Sequence, residues 1–218
     1  MKKSAFTIFC LLLTTRLFAQ NCSQCIFLQS NKIITETAYL NGDASYSFVI
    51  HVPANNSTTK LVTLETFGVD GKSLGKKTFP YQCVNNVFAF DIHSEPNQAN
   101  LTGMKSTTGP SIMTYPAGMK VGERFPDTDI PFTITMYGAD IDWVDKISNR
   151  RVVGQETITS TAGTWNALKI TYDLTEILKG GHPSNPPVYH VTEWYVPGFG
   201  IVQYEGYGRT VKITKIAG

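Results

Sequence analysis

Arg151-Val-Val-Gly-Gln-Glu-Thr-Ile-Thr-Ser160, Thr161-Ala-Gly-Thr164 and Trp165-Asn-Ala-Leu-Lys-Ile-Thr-Tyr-Asp-Leu174 follow one another without a break. Side chains of an extended chain alternate between two faces, so Leu168, Ile170 and Tyr172 share one side. Ala162-Gly163-Thr164 separates the two β-rich runs and carries a glycine suited to a turn. Two such runs about such a turn read as an antiparallel hairpin.

The same grammar extends outward in both directions. Asp142 to Ile147 precedes the hairpin across a turn read at Ser148-Asn149-Arg150, and Phe132 to Tyr137 precedes that. Downstream lie Tyr189 to Val196, a Pro197-Gly198 turn, Gly200 to Tyr207, and Arg209 to Ile216. Upstream, Lys32 to Leu40 and Ala44 to Val52 flank Asn41-Gly42-Asp43, a hairpin turn signal. Lys60 to Phe67 and Val87 to Ile92 add two more runs. Ser94 to Gly122, rich in Pro and Gly, reads as a long connection with one short helix near Pro96 to Met104. Val, Ile and Thr together number 58 of 218 residues, against 25 for Leu and Ala, a balance that favours strands over helices. The expected fold is all-β: a curved antiparallel sheet or barrel of about 11–12 strands, mostly up-and-down hairpins.

Residues 1–20 stand apart from that fold. Lys2 and Lys3 precede the short apolar run Ala5 to Leu13, and Leu17-Phe18-Ala19-Gln20 supplies a cleavage point. This is the pattern of a secretory signal peptide, too short for a transmembrane helix. Residues 21–218 are then a single exported domain, periplasmic or extracellular. Cys22 follows Asn21 rather than a small residue, which argues against a lipid anchor. Losing Lys2, Lys3 and Arg16 turns the formal charge from +2 to −1. With no basic cluster, no nucleic-acid partner is expected, and a solvated turn accounts for Arg150-Arg151.

An exported chain with Cys22, Cys25 and Cys83 has an odd number of thiols in an oxidising compartment. One disulfide and one free thiol is the simplest account, with Cys25–Cys83 preferred and Cys22–Cys83 the alternate. Ile26-Phe27-Leu28 reads as strand, which disfavours a thioredoxin-type use of Cys22 and Cys25. A zinc site lacks a second cysteine pair.

Three stretches carry a family resemblance. They are Tyr115-Pro-Ala-Gly-Met-Lys-Val-Gly122 leading to Phe125-Pro-Asp127, the hairpin Val153 to Trp165, and Glu193-Trp-Tyr-Val-Pro-Gly-Phe-Gly-Ile-Val202. Their order and spacing resemble the DUF3108-like, TapB-family exported proteins of the Bacteroidetes. Trp165 stands where that pattern has Phe. The resemblance is good from Tyr115 onward and looser before it. It implies a secreted or periplasmic β-rich domain with no catalytic residues to transfer.

Catalytic signatures are missing from the sequence: there is no G-x-S-x-G elbow and no H-E-x-x-H helix. Lone loop histidines such as His182, and His190 near Glu193, make a poor metal set. Asp127, Asp129, Asp140, Asp142 and Asp145 are read as turn-forming rather than calcium-binding. No catalytic residue, metal or cofactor is therefore expected. The functional handle is aromatic: Trp143, Trp165 and Trp194 lie on three predicted strands, and with Tyr195 and Tyr204 they are the candidate ligand-binding residues. Because Trp194 and Tyr195 are adjacent, they take opposite faces. The reading is a non-catalytic domain that binds an apolar small molecule or an envelope component. An interaction module of an envelope assembly and an uncatalogued hydrolase are the alternatives.

Overall fold

A computed structural model describes residues 22–55, 57–91, 105–106, 112–136, 139–180 and 186–218. The expected signal peptide and the helix expected near Pro96 to Met104 lie outside the described residues. The strands are β1 (Ile33–Leu40), β2 (Asp43–His51), β3 (Thr59–Gly68), β4 (Ser73–Val84), β5 (Val87–Asp91), β6 (Lys105–Ser106) and β7 (Ile112–Pro116). They continue with β8 (Thr128–Met136), β9 (Ala139–Ser160), β10 (Gly163–Leu178), β11 (Val188–Val196), β12 (Gly200–Gly206) and β13 (Arg209–Ala217). All belong to one antiparallel sheet in the order β6-β8-β9-β10-β11-β12-β13-β1-β2-β3-β4-β5-β7. The sheet curls into a nearly closed barrel, and β13 and β1 pair in its middle, Ile33 opposite Ala217.

β4 matches none of the runs read from the sequence, and β6 and β7 lie inside the stretch read as a long connection. In β4, Phe79, Tyr81 and Cys83 alternate inward, but Lys76, Lys77 and Pro80 blur the pattern. β7 sits inside the stretch read as a long connection, with Met113 and Tyr115 buried.

The turn expected at Ser148-Asn149-Arg150 is instead a bulge within the 22-residue β9. The register with β10 slips between Thr171 and Asp173, and Asn149 takes φ 57°. One extra residue flips the alternation. Asp145 and Ile147 face inward before the bulge, Arg150 and Val152 after it. Arg150 is thus 5% exposed and not on a solvated turn.

Short 3₁₀ turns, Cys22–Gln24 and Ile26–Leu28, replace the strand expected at Ile26-Phe27-Leu28. Ile26 donates its N–H to Phe199 O at 2.7 Å, and Phe27 packs on Tyr81 and Phe88 at 5.6 and 6.3 Å between centroids. The segment is held by a Cys22–Cys83 disulfide, which corrects the preferred Cys25–Cys83 pairing. The two turns direct neighbouring cysteines differently: Cys22 meets β4, while Cys25 packs against Gly200 of β12. Closing a loop of 61 residues, this bond stabilises by about 4 kcal/mol on chain-entropy grounds.

Burial pushes the free Cys25 thiol well above its ordinary pKa, against a smaller lowering by a backbone bond at Phe27. Ellman titration of the unreduced protein should therefore find no reactive thiol in the native state and one after unfolding. A rapidly reacting thiol before unfolding would contradict the packing of Cys25. Gly200 (φ 127°) should tolerate no side chain. A Cβ there would lie 2.7 Å from Phe27 Cε2 and 3.1 Å from Cys25 Sγ. Gly200→Ala should cost roughly 2–4 kcal/mol in denaturant unfolding, combining backbone strain with overpacking.

Candidate functional site

Inward alternation along β7, β9, β10 and β11 brings Tyr115, Arg150, Tyr172 and Glu193 together inside the barrel. Tyr115 and Tyr172 donate their hydroxyls to the two oxygens of Glu193, at 2.8 and 2.9 Å. Glu193 is 3% exposed, and burial raises its pKa, against lowering by the Arg150 charge and the two tyrosine bonds. The Arg150 guanidinium lies between the rings of Tyr115 and Phe125, 4.6 and 4.7 Å from their centroids. Its Nη1 donates to Thr114 O at 2.9 Å.

This cluster stands at the barrel's seam. Residues 122–125 follow β7 and bond to β9 through Gly122 N to Val152 O, Val152 N to Glu123 O and Phe125 N to Arg150 O. Arg150 thus spans from β9 to the β7 carbonyl. A buried carboxylate with a raised pKa is a common feature of acid–base sites. Here both oxygens accept hydrogen bonds from tyrosine hydroxyls and almost no surface is exposed, so the arrangement links β7, β10 and β11 inside the barrel.

Beside the cluster, an aromatic cavity of about 60 Å³ is lined by Phe27, Phe48, Tyr81, Phe88, Phe90 and Tyr204 among others. Phe90 links it to the cluster by stacking on Tyr115 at 5.7 Å. Of the five aromatic residues singled out in the sequence, Tyr204 lines this cavity. Tyr195 is fully buried and stacks on Tyr115 at 5.0 Å. Trp194 takes the other face, as adjacency requires, donating Nε1 to Glu156 at 2.8 Å beneath Lys169. Trp143 stacks on its cross-strand partner Phe132, and Trp165 packs on Phe199. The three tryptophans therefore occupy three separate environments.

Larger hollows lie on the outer wall. Asp173 and His190 are cross-strand neighbours on β10 and β11, with Oδ1 and Nδ1 2.6 Å apart. Asn149, turned out by the bulge, donates Nδ2 to Asp173 Oδ2 at 2.7 Å. That bond above all, then the His190 contact, holds the Asp173 carboxyl below its ordinary pKa. An ionised carboxylate only accepts, so Nδ1 of His190 carries the shared proton and Nε2 is left to other partners. Around this chain of three residues is a hollow of about 470 Å³, with Arg151, Thr171 and Thr192 on its walls. A second, of about 420 Å³, shares His190 and Thr192 and runs on to Tyr39, Glu205 and Tyr207. Sequence reasoning treated His190 and Glu193 as a poor metal set, and they lie on opposite faces of β11, one outside and one buried. His182 lies outside the described residues. The missed signal was Asn149, a residue that tolerates positive φ in the midst of β-rich sequence.

The DUF3108-like family matches residues 37–215. Two solved structures share the fold. A Bacteroides fragilis protein described as exported, with a YmcC-like fold, is 19% identical, with a TM-score of 0.65 over 87% of this chain and 97% of that one. A Parabacteroides distasonis protein described as a lipoprotein is 16% identical, with a TM-score of 0.69 over 87% and 96%. The expectation against lipid anchoring gains no support from these relatives, since one bears that description. No curated protein matches the chain. Among the described residues no helix is long and apolar enough to cross a membrane.

The seam cluster makes two predictions. Arg150→Met should destabilise by roughly 2–4 kcal/mol in urea unfolding, because Thr114 O loses a charged donor and the Tyr115 and Phe125 rings lose the cation between them. The folded-state pKa of Glu193 lies above the unfolded value, so folding takes up a proton between the two. Its contribution to stability is present below about pH 4.5 and is lost as pH rises through the folded pKa. Wild type should accordingly gain stability over Glu193→Gln as pH falls from 7 towards 4.5. A pH-independent difference would contradict the raised pKa.

Proposed function

The chain belongs to the DUF3108-like family, and from that premise we propose that it is an exported, non-catalytic module of the cell envelope that meets its partner on the outer wall of its barrel. Within the family, the hairpin stretches Val153 to Trp165 and Glu193 to Val202 support a place among the TapB-type exported proteins. Removal of residues 1–20 and delivery to the periplasm or the cell exterior belong to the same reading.

One observation carries the choice of surface. The interior cavity measures about 60 Å³, while each outer hollow exceeds 400 Å³. Ligand chambers for small molecules run from roughly 300 to 1,000 Å³. An apolar ligand would have to displace Phe27, Tyr81, Phe88 and Phe90 from a packed core. The outer wall needs no such rearrangement. Trp143, Trp165, Trp194 and Tyr195 line none of these three hollows.

Cells producing the full chain provide the test. The protein should appear in the exported fraction without residues 1–20 and should sediment with washed envelope fragments. His190→Ala combined with Thr192→Arg should reduce that retention about tenfold while leaving the melting temperature within a few degrees. Organic extraction of the purified protein should release no stoichiometric lipid. Retention indifferent to the outer-wall substitutions, or one lipid per chain, would overturn the proposal in favour of the interior.

A further inference from the structure

The geometry points to a neutral oligosaccharide as the ligand of the two adjoining outer hollows. This inference rests on the outer-wall reading above and names the chemistry of its partner. The hollows share His190 and Thr192, so together they form an elongated depression across β9 to β13 rather than a round pocket. An elongated, shallow site fits a chain of linked rings better than a compact metabolite.

The polar groups in the depression suit hydroxyls. Thr171 and Thr192 face each other across β10 and β11 and each offers a donor and an acceptor. Arg151 donates, Glu205 accepts, and His190 turns Nε2 to the groove once Nδ1 is given to Asp173. A sugar hydroxyl needs this mixture because it both donates and accepts. Charges of both signs line the walls, with Arg151 and Arg209 against Asp173 and Glu205. Neither sign dominates, so a phosphate-rich or polycationic ligand gains little there.

Two further features belong to a site rather than to an ordinary wetted wall. The Asn149–Asp173–His190 chain is drawn from three strands and is fixed by bonds of 2.7 and 2.6 Å, although the His190 side chain is 86% exposed. Such an exposed imidazole would ordinarily sample several rotamers, and holding it in advance lowers the ordering cost of binding. The Tyr207 ring, 38% exposed, is itself braced by Tyr189 at 4.4 Å between centroids. Its hydroxyl donates to Glu176 Oε1 at 3.0 Å and the Arg209 guanidinium lies 5.7 Å from its centroid, so the ring is held in place and its exposed part can meet the C–H side of a sugar ring at the edge of the groove. β10 and β11 are interior strands of the sheet, so an extended peptide cannot add to an edge here.

The experiment uses exported protein purified from producing cells, titrated by calorimetry with chitohexaose, cellohexaose and mannohexaose, and with hexagalacturonate as an anionic comparison. At least one neutral hexamer should bind saturably, and its trimer at least tenfold more weakly. His190→Ala, at an exposed position that leaves the fold intact, should weaken binding at least fivefold, and Tyr207→Ala likewise. Thr192→Arg, which fills the shared centre, should abolish it. If no neutral hexamer binds while envelope retention persists, the oligosaccharide inference falls and the outer-wall reading stands. Binding confined to hexagalacturonate, or binding unchanged in His190→Ala and Tyr207→Ala, also overturns it. Loss of both retention and oligosaccharide binding in the wild type overturns the two together.

Discussion

The Arg150 guanidinium, lying between Tyr115 and Phe125 and bonded to Thr114 O, ties β9 to β7 at the barrel's seam. At the seam the wall relies on the short 122–125 segment and on the Arg150 bond to β7. Taking such a charge out of water is costly, and Arg150 is met by two aromatic faces, the Thr114 carbonyl and the field of Glu193. This arrangement ties β7 to β9, β10 and β11. It also keeps the polar contents of the interior together, since Tyr115 and Tyr172 use their hydroxyls on the same carboxylate.

The consequence is a division of labour between the two faces. Inside, aromatic packing against Phe27 and the Cys22–Cys83 disulfide leaves a cavity of about 60 Å³ among the described residues. Outside, the same bulge that sends Arg150 inward turns Asn149 outward to Asp173. One inserted residue thereby contributes to both the internal brace and the external groove. Neither feature exists without the change in alternation at Asn149.

Most of the barrel can be read from the sequence, because the hairpins announce themselves locally. Asn41-Gly42 places the β1–β2 turn, and Leu168, Ile170 and Tyr172 share the inner face as their spacing requires. β4 and β7 are hidden for composition reasons: Lys76, Lys77 and Pro80 resemble a loop, and β7 is only five residues long, ending at Pro116. The seam is hidden for a different reason. Ser148-Asn149-Arg150 fits a turn as well as a bulge, and only pairing with β10 over residues on both sides decides between them. Once the turn is assumed, Arg150 is assigned to solvent and the buried cluster disappears from view. The disulfide likewise depends on the directions of two short turns, which depth along the chain does not encode. The groove is the least legible feature, since Asn149, Asp173 and His190 meet only after three strands align.

Pairing Ile33 with Ala217 has a bearing on how the chain comes together in time. Hairpins such as β1–β2 and β9–β10 close over a few residues and can form as soon as they are synthesised. β1, however, waits for β13, far along the chain. Until then its second edge presents a row of unsatisfied backbone groups, a template for pairing with other chains. A chain that has folded its hairpins but not yet docked β13 is therefore the form most at risk of association, and the risk sits at the outer edge of β1.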